Sequence, residues 1–204
     1  MTEQCRKALA RYELARSMVN GERAYATPDG HMYSVTTILS GSTNNRALEE
    51  WREGIGEERA NQILEAACWR GDKHHLNTQY FLETGLEPEL NFITGPYWRS
   101  SRPFLDCVTK PLLIEGAVWH PEQYAGTLDC IALTTEFGDN PVLLDWKTAD
   151  KLRNKKKVYN YSLQLAAYRE AANHVYGHLG LKIDYAQLVI CLLYTSPSPR
   201  DRVQ

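Results

Sequence analysis

Three short runs of this chain carry side chains that could do chemistry together: Gly126-Thr127-Leu128-Asp129, Val142-Leu143-Leu144-Asp145-Trp146-Lys147 and Gln164-Leu165-Ala166-Ala167-Tyr168. Asp145 and Lys147 stand two apart in an apolar run, so on a strand both side chains leave one face and a carboxylate shares its site with an ammonium. Such a pair suits phosphodiester hydrolysis, which needs a nucleophilic water, stabilisation of charge gathering on phosphorus and help for the leaving oxygen. A divalent ion supplies much of all three. Mg²⁺ prefers oxygen ligands and keeps several waters, so Asp129 and Asp145 would suffice beside a substrate phosphate, with the Trp146 carbonyl as a further candidate ligand. Lys147 would hold the attacking water or screen the developing charge.

Further candidates surround this centre. Glu115 lies in the preceding β-prone run and alternates with Leu113 and Ala117, a position from which it could add a carboxylate. His75, on an earlier helix, could complete the metal shell, its imidazole suiting Mn²⁺ better than Mg²⁺. Gln164 and Tyr168 are four apart, hence on one helix face, and could bridge the site to a nucleic-acid backbone. Lys151 and Arg153, with Lys155 to Lys157, follow the Asp145 strand and could meet phosphates, although a charge run is more often a solvated loop. Trp98, Arg99, Arg102 and Phe104 could clamp a single strand or simply cover a core edge.

The elements that must position these residues follow from periodicity. Leu9, Tyr12, Leu14 and Met18 predict a helix over Met1 to Asn20, and two β-prone runs around Pro28-Asp29-Gly30 predict a hairpin reaching Thr37. A helix from Arg46 is interrupted near Gly54 and Gly56. A second, from about Glu57 to Gly85, has Ile63, Leu64 and Ala67 as its apolar face and Gly71 as a break or close contact. Residues 83 to 102 read as a loop-rich excursion. Three β runs follow at 112–119, 124–133 and 141–147, then a helix over Val158 to Tyr176 closed by Gly177, then a strand at 185–190. This order predicts an α/β fold with a mixed sheet flanked by helices.

The 204 residues are 43% hydrophobic and 24% charged, enough for one domain with a sizeable core. A net charge of −2 confines any nucleic-acid contact to a local groove. The five cysteines show no CxxC pair, which argues for a reduced cytoplasmic setting and against a zinc site, a disulfide framework or an iron–sulfur cluster. No stretch is apolar enough for a membrane span, and the first twenty residues are too charged for a signal peptide. Cys191 to Asp201 back-translates to a codon string resembling a transposon-type sequencing adapter. One domain over 1–190 is therefore expected, with an N-terminal helix and hairpin to 45 and a core from 46, followed by an artefactual 191–204 on a natural chain that continues past Ile190.

Each motif occurs singly by chance; their ordered co-occurrence on matching element types carries the reading. Gly71 to His75 (GxxxH), Glu115, Gly126 to Asp129 (GxxD), Asp145 to Lys147 (DxK) and Gln164 to Tyr168 (QxxxY) resemble the RecB-like branch of the PD-(D/E)xK nucleases. Ser34 to Leu39 adds a likeness to the mitochondrial genome maintenance exonucleases and their phage relatives. The resemblance implies an αβββαβ restriction-endonuclease-like core, Mg²⁺ or Mn²⁺ dependence, and exonucleolytic action on single-stranded DNA ends in phage-type processing, recombination or repair. An endonuclease, a double-strand-specific relative and a non-catalytic DNA-binding module of the same fold remain open, because core motifs set chemistry and not substrate geometry.

Overall fold

A computed structural model describes residues 8–42, 46–151 and 155–193, with the side chains of 155–157 not described. The chain begins with strands β1 (Ala15–Val19), β2 (Glu22–Thr27) and β3 (Gly30–Ser34) and the short helix α1 (Val35–Gly41). Helices α2 (Arg46–Ile55), α3 (Glu57–Thr84) and α4 (Gly95–Leu105) come next. Strands β4 (Val108–His120), β5 (Tyr124–Thr134) and β6 (Val142–Ala149), helix α5 (Lys155–Tyr176), a 3₁₀ turn at Gly177–Leu179 and strand β7 (Tyr185–Leu192) complete the order. All seven strands form one mixed sheet: β1, β2 and β3 make an antiparallel meander, β3 meets β5 in parallel, and β6 pairs β5 antiparallel and β7 in parallel.

The middle of this sheet is forked. β4 pairs β5 along its length, so β3 and β6 share the other edge. β3 pairs only Tyr124 and Ala125 there, and β6 only Cys130 to Ala132. Between them Gly126 to Asp129 pair with neither, and the two neighbouring strands splay apart at the GxxD run.

Two apolar clusters hold the layers. One gathers Leu165, Tyr168, Ala172 and Tyr176 of α5 with Leu113, Val118, Leu128, Ile131 and Leu143; the other gathers Trp98 and Leu105 of α4 with Cys130, Ala132, Leu144 and Trp146. Leu143 and Leu144 thus divide between the clusters, as alternation along a strand covered on both faces requires. Leu128 joins the first cluster while Cys130 and Ala132 join the second, although strict alternation would group all three. The irregularity lies opposite Glu115, whose φ of 48° is left-handed, a conformation a non-glycine residue seldom adopts.

Several expectations are corrected. Residues 8–20 are not helical: Leu9 N–H donates to Leu112 O at 2.7 Å, Ala117 N–H to Tyr12 O at 3.0 Å, and Ala15 to Val19 pair with β2. The bare spacing of Leu9, Tyr12 and Leu14 mimicked a helical stripe, but β4 takes up the backbone groups. The second β-prone run ends at Ser34, whose Oγ accepts the Thr37 N–H at 3.0 Å and caps α1. The loop-rich excursion holds α4, with Pro96 in its first turn, where a missing N–H costs nothing, and Pro103 inside it. α3 runs unbroken past Gly71, and its buried residues are Ala60, His74 and Thr78; Ile63 is exposed and Leu64 and Ala67 only partly covered. β7 extends through Cys191, which is buried, to Leu192, and residues 194–204 lie outside the described residues.

Gly126 is required by the layer packing. A Cβ there would stand 2.6 Å from Cε1 and 2.7 Å from Oη of Tyr168, which is buried against this strand. Overpacking of this kind costs roughly 1–3 kcal/mol. Gly126→Ala should therefore lower the urea midpoint accordingly, and the loss should shrink in a Tyr168→Leu background, as a double-mutant cycle would register.

Candidate active site

Five elements supply side chains at the fork. α3, 28 residues long, crosses the sheet and presents His75, whose Nδ1 lies 3.4 Å from Asp129 Oδ1 and 3.5 Å from Glu115 Oε1. Glu115 is brought in by β4, where its left-handed backbone sits across from Asp129 in the register set by Gly116↔Leu128 and Ile114↔Cys130. Asp129 is held from behind: its Oδ2 accepts the Trp146 N–H at 2.7 Å, in place of a further rung of the β5–β6 ladder. The Trp146 indole is buried in the α4 cluster, so one residue anchors the site through its backbone and the core through its side chain.

On β6, the alternation inferred from the sequence places Asp145 and Lys147 together. They form a direct ion pair, and Gln164 of α5 donates to the other Asp145 oxygen at 3.4 Å. Lys147 Nζ also lies 5.6 Å from the centroid of the Tyr161 ring, a cation–π contact that its primary structure did not signal. Tyr168, the other half of the Gln/Tyr pair, is buried over Gly126, so its contribution from this position is to seat α5.

The charges are crowded and poorly hydrated. Burial and the neighbouring Asp129 charge push the Asp145 carboxyl above the usual carboxylate range, against the pull of Lys147. Burial acts the same way on Asp129, but its contacts with His75 and the charge of Lys147 outweigh that and hold it low. Burial would depress Lys147; the Asp145 and Asp129 charges raise it instead. For His75, burial is overcome by the Asp129 and Glu115 carboxylates, and the imidazole is pushed up to about 10.

One ligand atom each from His75, Glu115 and Asp129 lies within 4.8 Å of the others, a cluster of two carboxylate oxygens and an imidazole nitrogen able to hold a divalent cation. The donor set fits such an ion: a dication would meet carboxylates that, among the described residues, are otherwise compensated by a protonated histidine and a lysine. Asp145 stands next to this group with its oxygens taken up by Lys147 and Gln164. A model of the PD-(D/E)XK nuclease superfamily matches residues 22–200. The chain belongs to the PD-(D/E)XK nuclease superfamily. No individual curated protein matches it. PD-(D/E)XK nucleases use divalent metals and act on nucleic acid, and the His/Glu/Asp cluster is a group in this member that could hold such an ion. No helix among the described residues is long and apolar enough to cross a membrane.

The remaining candidates are placed less centrally. Lys151 is exposed just past the end of β6, and Arg153 lies outside the described residues. Trp98 is buried, with Nε1 donating to Glu87 at 2.8 Å; Arg102 pairs with Glu87 and Asp106 and covers Phe81. Trp98, Arg102 and Phe104 thus form a core edge, and Arg99 is exposed.

His74, next to His75, is buried with both ring nitrogens unpartnered among the described residues. Burial, reinforced by the His75 charge, lowers it to about 4 from 6.5. The unfolded chain thus takes up this proton first as pH falls, so the His74 contribution is intact above about 6.5 and is lost progressively down to about 4. The full loss is on the order of 3 kcal/mol. His75 has the opposite sign: its stabilisation is full below 6.5 and fades as pH rises toward 10. In chelator-treated protein, denaturant titrations from pH 8 to pH 4 should show His74→Leu losing less stability than wild type, whereas equal losses would refute the assignment.

Proposed function

We propose that this protein is a Mg²⁺- or Mn²⁺-dependent DNA exonuclease of the RecB-like branch, drawing single-stranded ends across Asp129, Asp145 and Lys147 in phage-type DNA processing, recombination or repair. The observation that carries the proposal is the pairing of two adjoining groups: the His75–Glu115–Asp129 cluster and the buried Asp145–Lys147 ion pair. A divalent ion bound there would supply Lewis acidity toward the phosphate and a water of lowered pKa. Asp129 and Glu115 would hold it through oxygen and His75 through nitrogen, while Asp145, engaged by Lys147 and Gln164, stands beside the group. Lys147 keeps its proton and steadies charge at the attacked phosphate, with Tyr161 and Asp145 restricting where its ammonium points. Gln164 fixes the Asp145 carboxylate, an arrangement that costs no reorganisation when charge develops.

The ordered motif set and the RecB-like resemblance support exonucleolytic action on single strands. Labelled 5′ and 3′ single-stranded oligonucleotides, with a circular single strand alongside, test it. The expected result is stepwise shortening of linear substrate in Mn²⁺, none with chelator and none on the circle. Cleavage of the circle would make the protein an endonuclease, and absence of any metal-dependent product would overturn the hydrolytic assignment.

Asp145→Asn and Lys147→Met should each lower kcat by about 10²–10³, the cost of removing one preorganised group at a developing charge. DNA affinity measured in chelator should stay within a few-fold of wild type. Unchanged turnover in either folded variant would remove that residue from the mechanism.

A further inference from the structure

Beside the fork, a groove of about 210 Å³ opens between the N-terminal segment, α3 and the β4–β5 pair. Its wall includes Arg11, Arg16, Gln79, Glu115 and Thr127. Glu115 belongs to both this groove and the metal-site cluster, and Gln79 is one helical turn beyond His75, so the two spaces adjoin. Thr127 lies two residues before Asp129 on β5, about 7 Å along an extended chain.

Arg16 differs from the other cations near the site. Lys147 is paired with Asp145, and Arg11 lies 3.6 Å from Glu83, whereas Arg16 forms no ion pair among the described residues. It is nevertheless aimed. Arg16 stands directly opposite Tyr25 in the β1–β2 pair, its guanidinium lies 5.7 Å from the Tyr25 ring centroid, and its Nη2 donates to Thr127 Oγ1 at 3.4 Å. The guanidinium is thus held beside a buried aromatic residue, with one donor on Thr127, at the wall of the groove. Guanidinium groups with free donors suit phosphate oxygens, which they bind in bidentate fashion.

We propose that Arg16 contacts the phosphate next to the scissile one, and that the groove carries the adjoining nucleotide of a single strand. The proposal rests on the nuclease reading and adds a substrate-positioning residue to it. It gives the N-terminal meander a task in function: β1 supplies the cation, β2 the aromatic support and β5 the hydroxyl that aims it. Arg16 thereby fixes which phosphate reaches the Asp129 cluster, one backbone step away.

The test uses the full chain and a labelled single-stranded oligonucleotide, bound in chelator across a series of salt concentrations. Arg16→Gln, and Arg16→Met as a variant retaining an unbranched side chain without charge, should each reduce the slope of log affinity against log salt by about 0.7, the value for one phosphate contact on a single strand. In Mn²⁺, KM should rise by roughly tenfold, the loss of one charge-assisted hydrogen bond, with a smaller change in kcat. Lys182→Gln, which removes an exposed cation paired with Asp184, serves as the charge control and should leave the slope unchanged. Salt slopes and KM values equal to wild type in the folded Arg16 variants would overturn the proposal. Metal-dependent hydrolysis of bis(p-nitrophenyl) phosphate by the wild-type protein separates the two levels: its absence would count against the nuclease reading itself, and its presence with unchanged Arg16 variants against the groove alone.

Discussion

The hydrogen bond from the Trp146 N–H to Asp129 Oδ2, 2.7 Å long, is the contact on which the site's geometry turns. β5 and β6 stop pairing at Cys130↔Leu144, and beyond that point a sheet would ordinarily either continue its ladder or expose backbone donors to water. Here a buried carboxylate satisfies the donor, so the strands can separate without leaving it unpaired. The separation makes room for the side chains of β6 to face α5, and for His75 to reach Asp129 from α3. The same aspartate that closes the gap keeps its second oxygen turned toward His75. Fold and chemistry therefore meet in one side chain.

Electrostatics make this arrangement costly without a cation. Glu115, Asp129 and Asp145 crowd a poorly hydrated space in which Lys147 and a protonated His75 are the counter-charges. Burial and then the Asp129 charge raise the Asp145 carboxyl, while the Asp129 and Glu115 carboxylates raise the His75 imidazole against the effect of burial. Such sites trade stability for function, because the groups that would bind metal must stay close in its absence. His74 adds a second cost, since its unpartnered nitrogens lie one position away on the same helix.

Much of the centre was legible because it is local. The Asp145–Lys147 pair follows from strand alternation, the Gln164–Tyr168 pair from helical spacing, and α5, β5 and β6 from apolar runs with clear ends. What local pattern does not encode is the meeting of distant elements. That His75 reaches both Glu115 and Asp129 depends on how α3 crosses the sheet, and the role of Arg16 depends on a meander docking beside β5. The misread elements have equally specific causes. The N-terminal segment shows helical spacing but spends its backbone hydrogen bonds on β4 and β2, while α4, in the stretch read as loop-rich, carries one proline in its first turn and another inside it. Tyr161 carries no motif at all; only its position over Lys147 singles it out.

Calorimetric titration of Mn²⁺ into chelator-treated protein is the most direct measurement of whether Asp129 organises a metal site. Wild-type protein should bind with proton release at pH 7.5, because the imidazole of His75 must give up its proton to become a ligand. Asp129→Asn, which can still accept the Trp146 N–H through its amide oxygen, should remain folded and lose that binding together with the proton release. Binding of equal affinity and equal proton release in Asp129→Asn, or no binding to wild-type protein, would contradict the assignment of this cluster as the metal site.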